Sequence, residues 1–156
     1  MPPSASESAL TVTERAPQRG AVMAFDFGER RIGVAVGDLE LGIAHPLETI
    51  VIRQGGDRFA SFEPLVAEWR PVLFIVGLPV NADGSEHRLT EVVHRFCDTL
   101  TRRFGVASRL IDERYTSAEA SSILRDAGVR GRKQKAYLDQ VAAQTILDDF
   151  FSYGGS

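Results

Sequence analysis

A chain of 156 residues with 44% hydrophobic and 25% charged residues has the size and composition of one soluble globular domain with a sizeable core, and no apolar run approaches the ~18 residues that cross a bilayer. Its one cysteine, Cys97, excludes an internal disulfide framework and a cysteine-rich zinc site, and the histidines His45, His87 and His94 are scattered, so a metal here would take carboxylate ligands. The net charge of −3 hides a basic stretch, because residues 101–135 carry 9 basic and 4 acidic groups while residues 1–100 carry 9 and 14, and such a stretch points to a local anionic partner.

Residues 1–19 are rich in Pro, Ser and Glu with little that could pack, and read as a disordered arm. The arm lacks a basic start followed by an apolar segment, so it is no secretory leader, and the expected compartment is the cytoplasm. Residues 20–151 read as one domain and residues 152–156 as a flexible tail. Within the domain, Ala21 to Phe27 is an apolar strand, Gly28 turns the chain, and Arg31 to Val36 is a second strand antiparallel to it. A third strand is expected near Leu47 to Arg53, ended by Gly55-Gly56. Asp57 to Trp69 has helical spacing and stops at Pro71. Val72 to Val76 is apolar on both faces, the mark of a central parallel strand.

A helix from about Ser85 carries the stripe Leu89, Val92, Val93, Phe96, Leu100 and Phe104 and ends at Gly105. Ala107 to Glu113 reads as the last strand. Thr116 and Glu119 form a capping box for a helix that stops at Gly128. A basic connector, Arg130 to Lys135, leads to a final helix from about Gln134 to Phe151. The order β-β-β-α-β-α-β-α-α predicts an α/β fold: a mixed five-stranded sheet, three antiparallel strands first and parallel strands after, with helices on both faces.

Three acids stand in apolar settings, where a charge must be paired, hydrogen-bonded or bound to metal. Asp26 shares a strand face with Val22 and Ala24. Asp139 falls in the middle of the stripe formed by Ala142, Ala143, Ile146 and Phe150, whereas Asp148 falls on the opposite face. Asp112 and Glu113 close the last strand and point to opposite faces; one could cap the next helix while the other faces a site, and spacing does not choose between them. Carboxylates converging from a central strand, a strand end and a packed helix make an oxygen cage for Mg²⁺ or Mn²⁺. Two such ions about 4 Å apart would activate water and stabilise the leaving oxygen of a phosphodiester. The sequence has no phosphate-binding loop of the GxxxxGK[ST] type and no nucleophile elbow, and Cys97 beside a helix stripe reads as a buried thiol.

Four blocks then occur in order: AFDFGERRIGVAVGD (Ala24–Asp38), VGLPVNADGSE (Val76–Glu86), DERYTSAEA (Asp112–Ala120) and LDQVAAQTIL (Leu138–Leu147). Together they resemble the YqgF/RuvX family, whose members are described as Holliday junction resolvases and as pre-16S rRNA nucleases. The resemblance spans about residues 21–151 and implies a ribonuclease H-like fold. It implies that the acidic site, catalytic and metal-binding, is Asp26, Glu113 and Asp139, and so favours Glu113 over Asp112. Ala24 stands where the family usually has Gly, and Gly37 where it usually has Ser; neither exchange removes a carboxylate.

The reading that follows is a metal-dependent nuclease on nucleic acid: structured RNA, with the 5′ end of precursor 16S rRNA in ribosomal precursor particles first, and branched DNA as the alternative. Cations near the acids in sequence, namely Arg30, Arg31, Arg114, Arg130, Arg132, Lys133 and Lys135, are the candidate phosphate contacts. No membrane partner is expected, and the chain reads as a monomer or weak dimer. One rival is a nucleotide-clamping kinase or ATPase of the actin-like type, which needs two such lobes where this chain has room for one. Another is a non-cleaving binding module acting in transcription, which would not need to keep three acids in apolar positions.

Overall fold

The computed structural model describes residues 19–53, 55–78, 89–112 and 132–154. Five strands form one sheet: β1 (Ala21–Asp26), β2 (Arg31–Asp38), β3 (Ile43–Val51), β4 (Leu73–Leu78) and β5 (Ser108–Asp112). Their spatial order is β3-β2-β1-β4-β5. β1 and β2 pair antiparallel, as do β2 and β3, and β4 lies parallel to both β1 and β5. This is the mixed sheet that the element order predicts. Among the described residues the helices are α1 (Glu63–Trp69), α2 (Thr90–Phe104) and α3 (Arg132–Asp149), with a wider helical turn at Phe150–Gly154.

Two strong patterns place the core. Met23 and Phe25 of β1, with Phe27 just past its end, join Ile32, Val34, Phe62, Phe74, Val76, Phe96 and Leu100 in a layer on one face. Rings dominate it: Phe25 lies 5.1 Å from Phe62, 5.6 Å from Phe74 and 5.8 Å from Phe96, centroid to centroid, in tilted or edge-on contacts. The alternate residues Val22 and Ala24 face the other way and pack with Ala35, Leu73, Ile75, Ala143, Ile146 and Leu147 under α3. α1 and α2 therefore cover one face and α3 the other.

Several boundaries differ from the sequence expectation: β2 runs on to Asp38 rather than ending at Val36, and β4 covers Leu73–Leu78 rather than Val72 to Val76. β3 begins at Ile43 rather than near Leu47. The Asp38 carboxylate accepts from the backbone N–H groups of Glu40 and Leu41, 2.9 Å each, which closes the turn early and lets pairing start at once. β3 is an edge strand that accommodates Pro46 and a register shift opposite Val34/Ala35, so its first half lacks an apolar alternation. The single helix expected over 57–69 is a 3₁₀ turn at Arg58–Phe62 followed by α1, because Pro64 has no N–H to continue the ladder. α3 begins at Arg132 rather than Gln134: Arg, Lys, Gln and Ala are strong helix formers with no breaker after Gly131, so Arg132, Lys133 and Lys135 lie on a helix instead of in a connector. The expected helix over 116–128 with its capping box, and the first turn of the helix expected from Ser85, lie outside the described residues. No described helix is long and apolar enough to cross a membrane.

Cys97 of α2 is buried in the aromatic layer. Burial first, and the neighbouring Asp98 charge second, push its thiol up to about 12. At pH 8 the thiolate is then about one part in ten thousand, so alkylation by iodoacetamide should be slow in the folded protein and rise to the rate of a free thiol in urea. Fast labelling of the native chain would show that α2 does not stay docked.

Candidate active site

Among the described residues, the only buried charged side chains are Asp26 and Asp139, 7% and 5% exposed. They are 113 positions apart in sequence. Asp26 ends β1 with the parity of Val22 and Ala24, so it faces α3. Its partner across the antiparallel ladder is Gly33. Asp139 rides on α3 in one stripe with Ala142, Ala143, Ile146 and Phe150, all buried, and its backbone sits directly on Gly33. A Cβ built at Gly33 would lie 1.9 Å from the Asp139 carbonyl oxygen and 3.1 Å from the Asp139 Cβ. One glycine is thus the ladder partner of the first acid and the seat of the second, which brings the two acids to the same end of the same interlayer space.

The helix is held in that position from both sides. Gly37, four residues along β2, would place a Cβ 2.9 Å from the Leu147 side chain. Four strand residues span about 13 Å and eight helix residues about 12 Å, so β2 and α3 run side by side in step. Towards the edge strand, the Thr49 hydroxyl donates to the Ala136 carbonyl, and the Gln144 amide donates to the Ala44 carbonyl at 3.1 Å.

The first residue of β2, Arg31, shares the parity of Gly33 and so also faces α3. Its Nε donates to an Asp139 carboxylate oxygen at 2.5 Å, a short charge-assisted bond. Arg31, named from sequence as a phosphate contact, is thus engaged with one of the acids. Arg30 is exposed at the turn, and its carbonyl accepts from Ile52 N–H at 2.8 Å.

β5 ends beside this space. Leu78 pairs with Asp112 and Gly77 with Ile111. Leu78 and Leu110 belong to the aromatic layer, whereas Ile111 belongs to the α3 layer. Asp112, with the parity of Leu110, is therefore on the face away from Asp26 and Asp139. Glu113, Arg114 and Arg130 lie outside the described residues. Arg132, Lys133 and Lys135 fall in the first turn of α3. Among the described residues no three His, Cys, Asp or Glu side chains form a metal cluster. The donors in place are two carboxylates, hard oxygen ligands of the kind that suits Mg²⁺ or Mn²⁺.

One cation at this end of the sheet had no signal in the sequence. The guanidinium of Arg58, in the 3₁₀ turn, lies 5.5 Å from the Phe27 ring and 5.9 Å from the Phe59 ring. Only the tertiary placement of Phe27, just past Asp26, reveals it. Arg103, by contrast, is engaged on the outer surface with Asp57 at 2.7 Å and Glu63 at 2.6 Å, and its hydrogen bond holds the Asp57 carboxyl below its ordinary value.

Comparison with known proteins finds relatives over most of the chain. A family model described as "RuvX: Holliday junction resolvase" matches residues 20–153. A protein of Nitrosospira multiformis is 56% identical over 135 residues, covering 86% of this chain and 89% of its own, and bears the name "Putative pre-16S rRNA nuclease". A protein of the same name from Nitrosomonas eutropha is 49% identical over 153 residues, covering 97% of this chain and 96% of its own. Among solved structures, RuvC of T. thermophilus in complex with a Holliday junction substrate superposes with a TM-score of 0.53 at 15% identity, covering 88% of this chain and 97% of that one. At that identity the likeness shows the fold, which is ribonuclease H-like.

The contact of α3 with Gly33 makes a direct prediction. Gly33→Ala puts a methyl group where the Asp139 carbonyl stands, and neither partner is a flexible side-chain end, so α3 must lift off β2. The expected cost is about 3 kcal/mol in urea unfolding. A change within experimental error would mean that the helix does not rest on this glycine.

Proposed function

The chain belongs to the RuvX family and is a nuclease, a hydrolase of phosphodiester bonds; from that premise we propose that it works with a divalent metal held by Asp26, Glu113 and Asp139, and that its substrate is the 5′ end of precursor 16S rRNA. The observation that carries the metal reading is the pair of buried carboxylates, Asp26 and Asp139, set together from a strand end and a helix at the carboxyl ends of the parallel strands, where open α/β sheets build their sites. Asp112 has the wrong parity to join them, which supports Glu113 as the third acid. When bound, Mg²⁺ or Mn²⁺ supplies Lewis-acid stabilisation of the phosphoryl oxygens and a more acidic water. The chain's own contribution is orientation. Strand β1 fixes Asp26, α3 fixes Asp139, and the apolar walls of Ala142 and Ala143 exclude bulk water and raise the strength of each charge interaction.

The RNA substrate is supported by the names of relatives at 49% and 56% identity over most of both chains. Resolution of four-way DNA junctions is the second reading, favoured by the description of the matching family model. Asp26→Asn, Glu113→Gln and Asp139→Asn should each remove most hydrolysis in Mn²⁺ or Mg²⁺, with circular dichroism unchanged. Labelled precursor rRNA and four-way DNA junctions, offered side by side, decide the substrate. Full activity of Asp26→Asn would remove the site, and cleavage of junctions alone would replace the RNA reading.

The phosphate-binding cations in this reading are Arg30, Arg31, Arg114 and Arg130, with Arg132, Lys133 and Lys135 in the first turn of α3. Replacing the last four with Ala should weaken binding of all substrates. On duplex DNA it should flatten the log–log salt dependence by about 0.9 for each phosphate that is no longer neutralised. A slope equal to that of the unsubstituted protein would put the binding surface elsewhere.

A further inference from the structure

We propose that Arg31 is an exchangeable internal counter-ion: its guanidinium neutralises Asp139 in the metal-free protein, is released when a divalent cation takes that carboxylate, and then binds the anionic oxygens of the phosphodiester. The inference rests on the metal-site reading above and adds to it how metal and substrate are coupled.

Four observations carry it. First, the Asp139 carboxylate is buried, and a buried carboxylate is stabilised by a charge of opposite sign beside it. Second, the Arg31 Nε bond at 2.5 Å supplies that charge directly. Third, the two side chains differ in exposure, 35% for Arg31 against 7% for Asp139, so the arginine is in contact with solvent while the acid it holds is not. Fourth, Arg31 is anchored by its backbone, paired with Val51 in the β2–β3 ladder, so its side chain can turn outward without unpairing the strand.

A guanidinium does not deprotonate, so a cation arriving at Asp139 meets it as a competing positive charge on the same carboxylate, and repulsion between the two favours the conformer in which Arg31 has turned away. Arg31 therefore moves. It moves at the edge where β1 ends, beside Asp26, where the cleaved phosphodiester would lie. Metal and phosphate then bind cooperatively, each favouring the released conformer, and by linkage the coupling is the same in both directions.

The test uses the full chain. Mn²⁺ binding is measured by calorimetry for the unsubstituted protein, Arg31→Gln, Arg31→Lys and Asp139→Asn. The arginine Nε–H signals are followed by ¹H–¹⁵N spectroscopy during a Mg²⁺ titration, with Arg31→Lys assigning the Arg31 signal. Arg31→Gln should bind Mn²⁺ about tenfold more tightly, equivalent to about 1.4 kcal/mol, because no guanidinium has to leave. Arg31→Lys should stay within a few-fold of the unsubstituted protein. The Arg31 Nε–H signal should be shifted and protected without metal, and lose both properties at saturating Mg²⁺. Since that signal is read on the unsubstituted chain, it decides the matter even where Arg31→Gln is unstable. An Arg31 signal unmoved by Mg²⁺, with Mn²⁺ binding abolished in Asp139→Asn, overturns the exchange and leaves the metal site standing. Mn²⁺ binding unchanged in Asp139→Asn overturns the metal site itself, and the exchange with it.

Discussion

The arrangement of this protein depends on one close approach, that of α3 to β2. A helix whose apolar stripe contains a carboxylate can lie on a sheet only if the strand beneath has no side chain there and a cation stands beside it. β2 meets both conditions within three residues, through Gly33 under the Asp139 backbone and Arg31 against its carboxylate. Removing Arg31 takes away a charge-assisted bond from a buried carboxylate, and adding a side chain at position 33 creates a backbone clash, so each change should destabilise the packing of α3 on β2. The same approach sets the depth at which α3 sits, and so the separation between Asp139 and Asp26 on the neighbouring strand.

The two faces of the sheet are built from opposite materials for this reason. The face under α1 and α2 is packed with rings, which fill a wide gap and need no close backbone approach. The face under α3 is made of Gly, Ala, Val, Leu and Ile, which allow the helix to lie near the strands. Had the materials been reversed, Phe-sized residues at positions 24 or 35 would hold α3 away from β2, and the two acids would not share one space. Position 24 illustrates the constraint: the family resemblance has Gly there, this chain has Ala, and Ala24 is fully buried against the α3 layer, so the larger residue is still small enough.

Most of this architecture is legible in the sequence because the signals are periodic. Val22, Ala24 and Asp26 on one face of β1, and Asp139 in line with Ala142, Ala143 and Ile146, are period-two and period-3.6 patterns that survive into the packed layers. The first half of β3 is not legible, since an edge strand with Pro46 and a register shift has no reason to alternate. The break at Pro64 is hidden, because the apolar spacing of Phe59, Phe62 and Val66 runs across it as if the helix were continuous. The partners of the acids are least legible. Nothing in the spacing of residues links Arg31 to a side chain 108 positions away, or Arg58 to the ring of Phe27. Choosing between Asp112 and Glu113 by geometry needs the layer membership of Leu110 and Ile111, which only the folded sheet supplies.

The charge balance of the chain takes on a different meaning once the partners are known. Counted by sequence, the positive groups concentrate in residues 101–135. Counted by what they touch, Arg103 already faces two carboxylates on the outer surface, Asp57 and Glu63, so its charge is largely compensated where it stands. Among the described residues, the cation on the acids comes instead from the acidic half of the chain: Arg31 holds Asp139, with Arg30 in the adjacent β1–β2 turn, while Arg58 over Phe27 belongs to the opposite, aromatic face. A site that must bind both divalent metal and a polyanion gains from this division. Cations fixed permanently beside the carboxylates would repel the metal, whereas a single cation paired with one of the acids offsets only part of their charge and leaves the site net negative toward an arriving cation.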